Sequence, residues 1–146
     1  MPIRQATAAD LPRMGGCARE FYASSRFLQG FDLDRFCAVW TELLANGTGV
    51  IFLLEDGGEV VGALGGVAYP DINSGELIAT EFFWFIRDGA RGQGLRLYRL
   101  FESWARERGC RQIRMVHLAD LMPDKLDRVY RHLGFEPIEI HWAKEL

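Results

Sequence analysis

The sequence predicts one α/β (α+β) domain, residues 1–146, with helices covering both faces of a mixed central sheet. Three observations carry that prediction. The length suits a single core that buries most of its apolar side chains. Strand-like and helix-like patterns intermix along the chain instead of forming separate blocks. The run 77–86, which holds Phe82, Phe83, Trp84 and Phe85, is apolar at almost every position, as in a central strand covered on both sides.

The elements follow in order. Residues 2–7 read as a short strand. Asp10-Leu11-Pro12 then reads as a helix start, with a capping carboxylate and proline in the first turn. Met14, Cys17, Ala18 and Phe21 give that helix its buried stripe. Residues 24–30 break the pattern. A second helix begins at Asp32 or Asp34, carries Phe36, Val39, Trp40, Leu43 and Leu44 inward, and stops at Asn46-Gly47. Residues 49–54 and 60–68 read as two strands joined by a Gly57-Gly58 hairpin turn. Glycines 62, 65 and 66 suggest a bulge or a close approach by another backbone. Residues 69–75 form a loop before the strand 77–86.

Residues 92–109 read as a turn plus a helix, with Leu97, Leu100, Phe101 and Trp104 inward and Gly109 as its stop. Residues 113–118 give another strand, which the β-α-β rule makes parallel to 77–86. A last helix carries Leu126, Val129, Tyr130 and Leu133, and Gly134 closes it. Residues 135–142 complete the order β-α-α-β-β-β-α-β-α-β as a final strand.

Composition excludes several classes. Forty-nine per cent hydrophobic and 25% charged residues describe a folded, soluble chain. A net charge of −3 argues against a general nucleic-acid binder. No apolar run is long enough for a membrane helix, and no signal-peptide pattern opens the chain. Cys17, Cys37 and Cys110 fit neither a zinc pattern nor a disulfide framework, so the expectation is buried reduced thiols in a cytoplasmic protein without a metal.

The chemistry gathers at Arg91-Gly92-Gln93-Gly94-Leu95, between the most apolar strand and an amphipathic helix. Amides at a helix N-terminus and the helix dipole favour an anion, and glycines let the backbone approach phosphate oxygens. Arg91 and Arg96 can add charge-assisted hydrogen bonds. Alone, two glycines in this position suit a plain strand-to-helix turn equally well.

Together with the order of elements and Tyr130-Arg131-His132-Leu133-Gly134-Phe135, this turn resembles the GCN5-related N-acetyltransferases, the GNAT superfamily. The resemblance runs from Ile3 to Trp142. It implies a mostly antiparallel mixed sheet and an Arg/Gln-x-x-Gly-x-Gly/Ala turn that holds the pyrophosphate of acetyl-CoA. Arg91, Gly92, Gln93, Gly94 and Leu95 follow that pattern. Arg96 stands where Gly or Ala is usual, and the expectation is that its side chain swings aside to pair with the pyrophosphate. An asparagine frequent at the start of the penultimate helix is absent. The resemblance also implies that backbone amides near Phe85 and Ile86 pair with pantetheine or the thioester. The partners it implies are acetyl-CoA and an amine acceptor, and a homodimer is open because many relatives pair.

Three residues are candidates for proton transfer. Tyr130 matches the tyrosine of the family's Tyr-x-x-x-Gly-Phe pattern and is the candidate acid for the thiolate; the plain alternative is packing beside Val129 and Leu133. Glu81 is the only charge within 78–86 and is the candidate base, because desolvation raises a carboxyl pKa toward a useful range. The alternative pairs it with an arginine or exposes it where the sheet splays. His117 is a second base candidate at the end of the strand after the helix. The acceptor site is expected among Phe21, Tyr22, Phe27, Phe31 and Trp142. Beside the enzyme stands a second reading, a non-catalytic acyl-CoA-binding or sensing module of the same fold.

Overall fold

The computed structural model describes residues 1–146. Its regular elements are β1 (Ile3–Gln5), α1 (Gly15–Ala23), α2 (Leu33–Ala45), β2 (Gly49–Asp56), β3 (Glu59–Pro70), β4 (Leu77–Ile86), α3 (Gly94–Glu107), β5 (Gln112–Arg114) and α4 (Pro123–His132). They fall in two units, Met1–Val116 and His117–Leu146. No helix is long and apolar enough to cross a membrane.

The first unit is built on a five-stranded sheet in the order β1-β2-β3-β4-β5. The pairings from β1 to β4 are antiparallel, and β4 with β5 is parallel. The mixed, mostly antiparallel sheet is therefore as expected. Gly57 and Gly58 turn the β2–β3 hairpin with φ of 56° and 86°, the two positive values that a two-residue turn of matching twist requires.

Alternation along the strands divides the core into two layers. Ile51, Leu53, Ala63, Phe83 and Phe85 pack with Leu11, Met14, Cys17 and Trp40 on the side of α1 and α2. On the other side lies α3, whose Phe101 ring reaches Gly66 and whose Tyr98 ring lies 6.5 Å from that of Trp84. The glycine-rich stretch of β3 exists for these rings. A Cβ at Gly65 would stand 2.3 Å from the Phe83 ring, and one at Gly66 would stand 2.4 Å from Phe101. Side chains make the close approach, and only at Gly66 does a backbone atom, the Thr80 carbonyl at 2.9 Å, come as near.

The helix ends follow local chemistry. Asp32 caps α2 by accepting from the Arg35 amide at 2.9 Å. Asp10 acts from inside its turn: residues Ala8–Met14 form a 3-10 segment, and the Asp10 carboxylate accepts from the Thr7 amide at 2.8 Å. Arg4 and Arg13 also bind Asp10, and both reach Glu55. The Arg4 hydrogen bonds above all, and after them those from Thr7, hold the Asp10 carboxyl well below the usual carboxylate range. This cluster joins β1, the 3-10 segment and β2.

The second unit holds α4, which starts after Met122 in a left-handed conformation and ends before Gly134, at φ 90°. Two expected strands come out differently. The strand expected over 113–118 is only Gln112–Arg114, and residues 135–142 form no strand. The alternation of Ile138, Ile140 and Trp142 with Glu139 and His141 is a strand pattern, but all three apolar residues are exposed. Pro137 has no amide to give a ladder, and strand propensity needs an edge to pair with.

Candidate active site

The site is built where β4 and β5 part. Their parallel pairing covers only Ile78 to Thr80 against Gln112 to Arg114. Beyond Thr80, β4 continues for six residues while β5 has ended. The stretch 81–86 of β4 therefore keeps β3 on one side and has no strand on the other.

A bulge sets which way the side chains of this stretch point. Gly66 pairs with Glu81 and Gly65 with Phe83, so Phe82 is an extra residue with no opposite number on β3. Gly65 and Gly66 face opposite sides of the sheet, and their partners do too. Phe83 thus enters the α1–α2 layer, while Glu81 faces the α3 layer. Phe82 is left 60% exposed.

Glu81 is only 4% exposed. Its Oε2 accepts a hydrogen bond from the Val116 amide at 3.1 Å, just past the end of β5. Burial pushes its carboxyl up to about 8, against which the Val116 hydrogen bond pulls weakly down. No basic side chain shares in that balance, so the ion-paired alternative does not describe it. A carboxyl of this kind exchanges a proton near neutral pH, as a general base must.

Past Ile86 the chain makes a short 3-10 turn, Asp88–Ala90, and enters α3. Gly92 has φ 93°, a left-handed value that suits glycine. Gln93 stands at the N-cap but gives α3 no side-chain cap. The first-turn amides of a helix are the groups that bind an anion. Gly94 lies under the Trp84 indole, 3.2 Å from where its Cβ would be. A side chain here would press on the indole, so the packing of β4 against α3 favours glycine at this position.

The two arginines of the turn are already engaged. Arg91 pairs with Asp88 at 2.6 Å. The Arg96 guanidinium donates to the Gln93 side chain at 2.6 Å and to the Met1 carbonyl at 3.0 Å. The Arg96 side chain thus lies toward the start of the chain, held there by Gln93 and the Met1 carbonyl.

Backbone direction separates Phe85 from Ile86. The Arg87 amide donates to the Val61 carbonyl of β3 at 2.8 Å. Backbone groups alternate along a strand, so the Ile86 amide points to the open edge and the Phe85 amide toward β3. The Phe85 ring packs 5.8 Å from Phe21 in the α1–α2 layer.

The second unit brings the other two candidates together. Tyr130 is buried, and its ring stacks on His117 with centroids 6.3 Å apart and planes 15° from parallel. Phe135 packs on the same tyrosine at 5.7 Å, and its amide donates to the Tyr130 carbonyl. His117 is exposed and lies three residues past the strand it was expected to end. Among the expected acceptor residues, Phe27 is exposed beneath the Arg26 guanidinium, and Trp142 is 91% exposed. Sequence reasoning missed Phe36, Phe82 and Phe83, which line a cavity with Phe21, Tyr22 and Phe31. Phe36 read as plain helix core, and only the bulge brings Phe82 to the rim. No group of three His, Cys, Asp or Glu residues could hold a metal ion.

Comparison with known proteins bears on the whole arrangement. The model of the acetyltransferase (GNAT) family matches residues 18–135. No curated protein matches the sequence. Among solved structures, the aminoglycoside acetyltransferase AAC(6')-Iy bound to a CoA bisubstrate analogue has a TM-score of 0.77 at 20% identity, covering 99% of this chain and 98% of that one. A transcriptional regulator from Bacillus halodurans has 0.77 at 25%, covering 99% of both. The ribosomal-protein-alanine N-acetyltransferase from Brucella melitensis biovar Abortus has 0.73 at 14%, covering 100% of both.

Proposed function

The chain belongs to the acetyltransferase (GNAT) family, and from that premise we propose that it transfers an acetyl group from acetyl-CoA to a primary amine by direct attack. The observation that carries this reading is the open edge of β4 running from buried Glu81 to the uncapped N-terminus of α3. Gly92, Gly94 and Leu95 offer amides to the pyrophosphate, with Arg91 beside them, whereas the Gln93 amide already donates to the Ala90 carbonyl at 3.3 Å. Ile86 offers its amide to the pantetheine arm or the thioester.

The chemistry asks for few groups. The amine nitrogen attacks the thioester carbonyl carbon, a C–N bond forms and the C–S bond breaks. The proton lost by the amine goes to Glu81 through water at the open edge of β4. The CoA sulfur takes a proton from Tyr130, and acetylated amine and free CoA leave. A phenol gives its proton to a thiolate when held within hydrogen-bond reach, and the Tyr130 ring is held by contacts with His117 and Phe135. His117 acts as a positioning residue for that ring.

The test is a titration with acetyl-CoA followed by thiol release with a panel of amines. Tight binding with no thiol release for any amine would replace this reading with that of a CoA-binding module. Two variants probe the parts. Arg91→Glu puts a negative charge beside the amides and is expected to weaken CoA binding about 10–100-fold. Its melting temperature should hardly move, because the exposed Arg91–Asp88 pair contributes little. An unchanged CoA affinity would remove Arg91 from the site. Tyr130→Phe is expected to lower kcat about 100-fold with CoA affinity unchanged by calorimetry. Undiminished turnover would make Tyr130 a packing residue only.

A further inference from the structure

Six aromatic rings close a circuit on the α1–α2 side of β4. Phe21 neighbours Tyr22 at 6.1 Å, Tyr22 neighbours Phe31 at 5.0 Å, and Phe31 neighbours Phe36 at 5.7 Å. Phe36 neighbours Phe83 at 5.9 Å, Phe83 neighbours Phe85 at 6.0 Å, and Phe85 returns to Phe21 at 5.8 Å. They surround a cavity of about 110 Å³ that is open on one side. The residues lining it, which also include Ala18, Trp40 and the bulged Phe82, carry no charge.

We infer that this circuit is the acceptor subsite and that it selects a primary amine carried on one small apolar group, a phenyl or a branched alkyl. The inference rests on the acetyl-transfer reading above and adds the class of acceptor to it. Position supports it: Phe82, Phe83 and Phe85 belong to the same stretch of β4 whose far edge is open. Size supports it: a dry apolar cavity of ~150 Å³ admits a benzene ring, so a slightly smaller cavity with one open side admits one ring and not two. Chemistry supports it: an apolar group gains by leaving water here, whereas a polyamine or an aminoglycoside would bring several charges to a wall with no carboxylate. The amine then stays at the mouth, beside Phe82 and the bulge.

The experiment compares 2-phenylethylamine, spermidine and kanamycin as acceptors with acetyl-CoA, and measures binding of 2-phenylethylamine by calorimetry without acetyl-CoA. Phe31→Ser opens the circuit at a half-buried loop position, with folding checked by its thermal melt. The expected result is a kcat/KM for 2-phenylethylamine at least about tenfold above the other two. Phe31→Ser should raise its KM about tenfold and leave the KM for acetyl-CoA unchanged. Higher kcat/KM for spermidine or kanamycin would overturn the inference while leaving acetyl transfer intact. Binding of 2-phenylethylamine that Phe31→Ser abolishes, with no thiol release from any amine, would sink acetyl transfer and keep the apolar subsite. No binding of 2-phenylethylamine to the wild-type chain would make the circuit core packing and overturn the inference. If Phe31→Ser fails to fold, Phe82→Ser at the exposed bulge carries the same comparison.

Discussion

Replacing Glu81 by glutamine is expected to lower turnover by about 10²–10⁴-fold, the range a positioned base contributes, while CoA affinity stays as it was. Glutamine keeps the shape and an oxygen for the Val116 amide, so only the ability to take a proton is lost. The wild-type rate should rise with pH and level off above about 8, where the Glu81 carboxyl is ionised. The variant should lose that limb. A retained limb at the same pH would assign the titration to another group.

The same replacement has an opposite effect on stability. Glu81 sits at about 8 in the folded chain against 4.5 as an ordinary glutamate. Between those values the folded chain keeps a proton that the unfolded chain has released. Stability therefore falls as pH rises from about 4.5 to about 8, by up to about 1.4 kcal/mol per pH unit, and levels off on either side. Glu81→Gln removes this slope and should be the more stable protein at pH 9. Urea melts of both proteins at pH 5 and pH 9 measure it. Parallel pH dependence in the two would show that Glu81 is not the buried acid.

The second large effect is on folding alone. Gly66→Ala puts a methyl group 2.4 Å from the Phe101 ring and 2.9 Å from the Thr80 carbonyl. The carbonyl belongs to β4 and cannot turn aside, and Phe101 is fully buried and stacked on Trp104. Overpacking of this kind costs about 1–3 kcal/mol and more where backbone must shift, so a loss of about 3 kcal/mol is expected. Thermal melting should show it as a fall of roughly 6–12 °C for a chain near this size. Combining it with Phe101→Leu should recover part of the loss relative to the sum of the single changes. Full additivity would mean that ring and methyl do not meet.

Much of this was legible in the residues. Gly57-Gly58, the Asp32 cap, Gly109 and Gly134 each require a local backbone state, and each marks a boundary that the structure keeps. The turn at Arg91 and the lone carboxylate of Glu81 were visible for the same reason, since both break a pattern. What stayed hidden depends on pairs of elements. The bulge at Phe82 is a mismatch in register between β3 and β4, and neither strand alone encodes it. The aromatic circuit joins residues from two helices, a loop and a strand, so no periodicity within one element reveals it. Residues 135–142 show the reverse case, an alternating pattern whose strand does not form.

The bulge also carries a lesson for comparing relatives. Because strand residues alternate between faces, one extra residue reverses the parity of everything after it. Deleting Phe82 alone would restore a regular ladder and exchange the two sides for the residues on one flank of it. Either Glu81 would turn into the aromatic circuit or Phe83 would leave it. A gap of a single position here is thus a different event from a gap in the Gly57-Gly58 hairpin, where the chain could lengthen or shorten with little effect. Any homologue aligned with such a gap should be expected to have rebuilt its aromatic circuit, the seat of its buried carboxyl, or both.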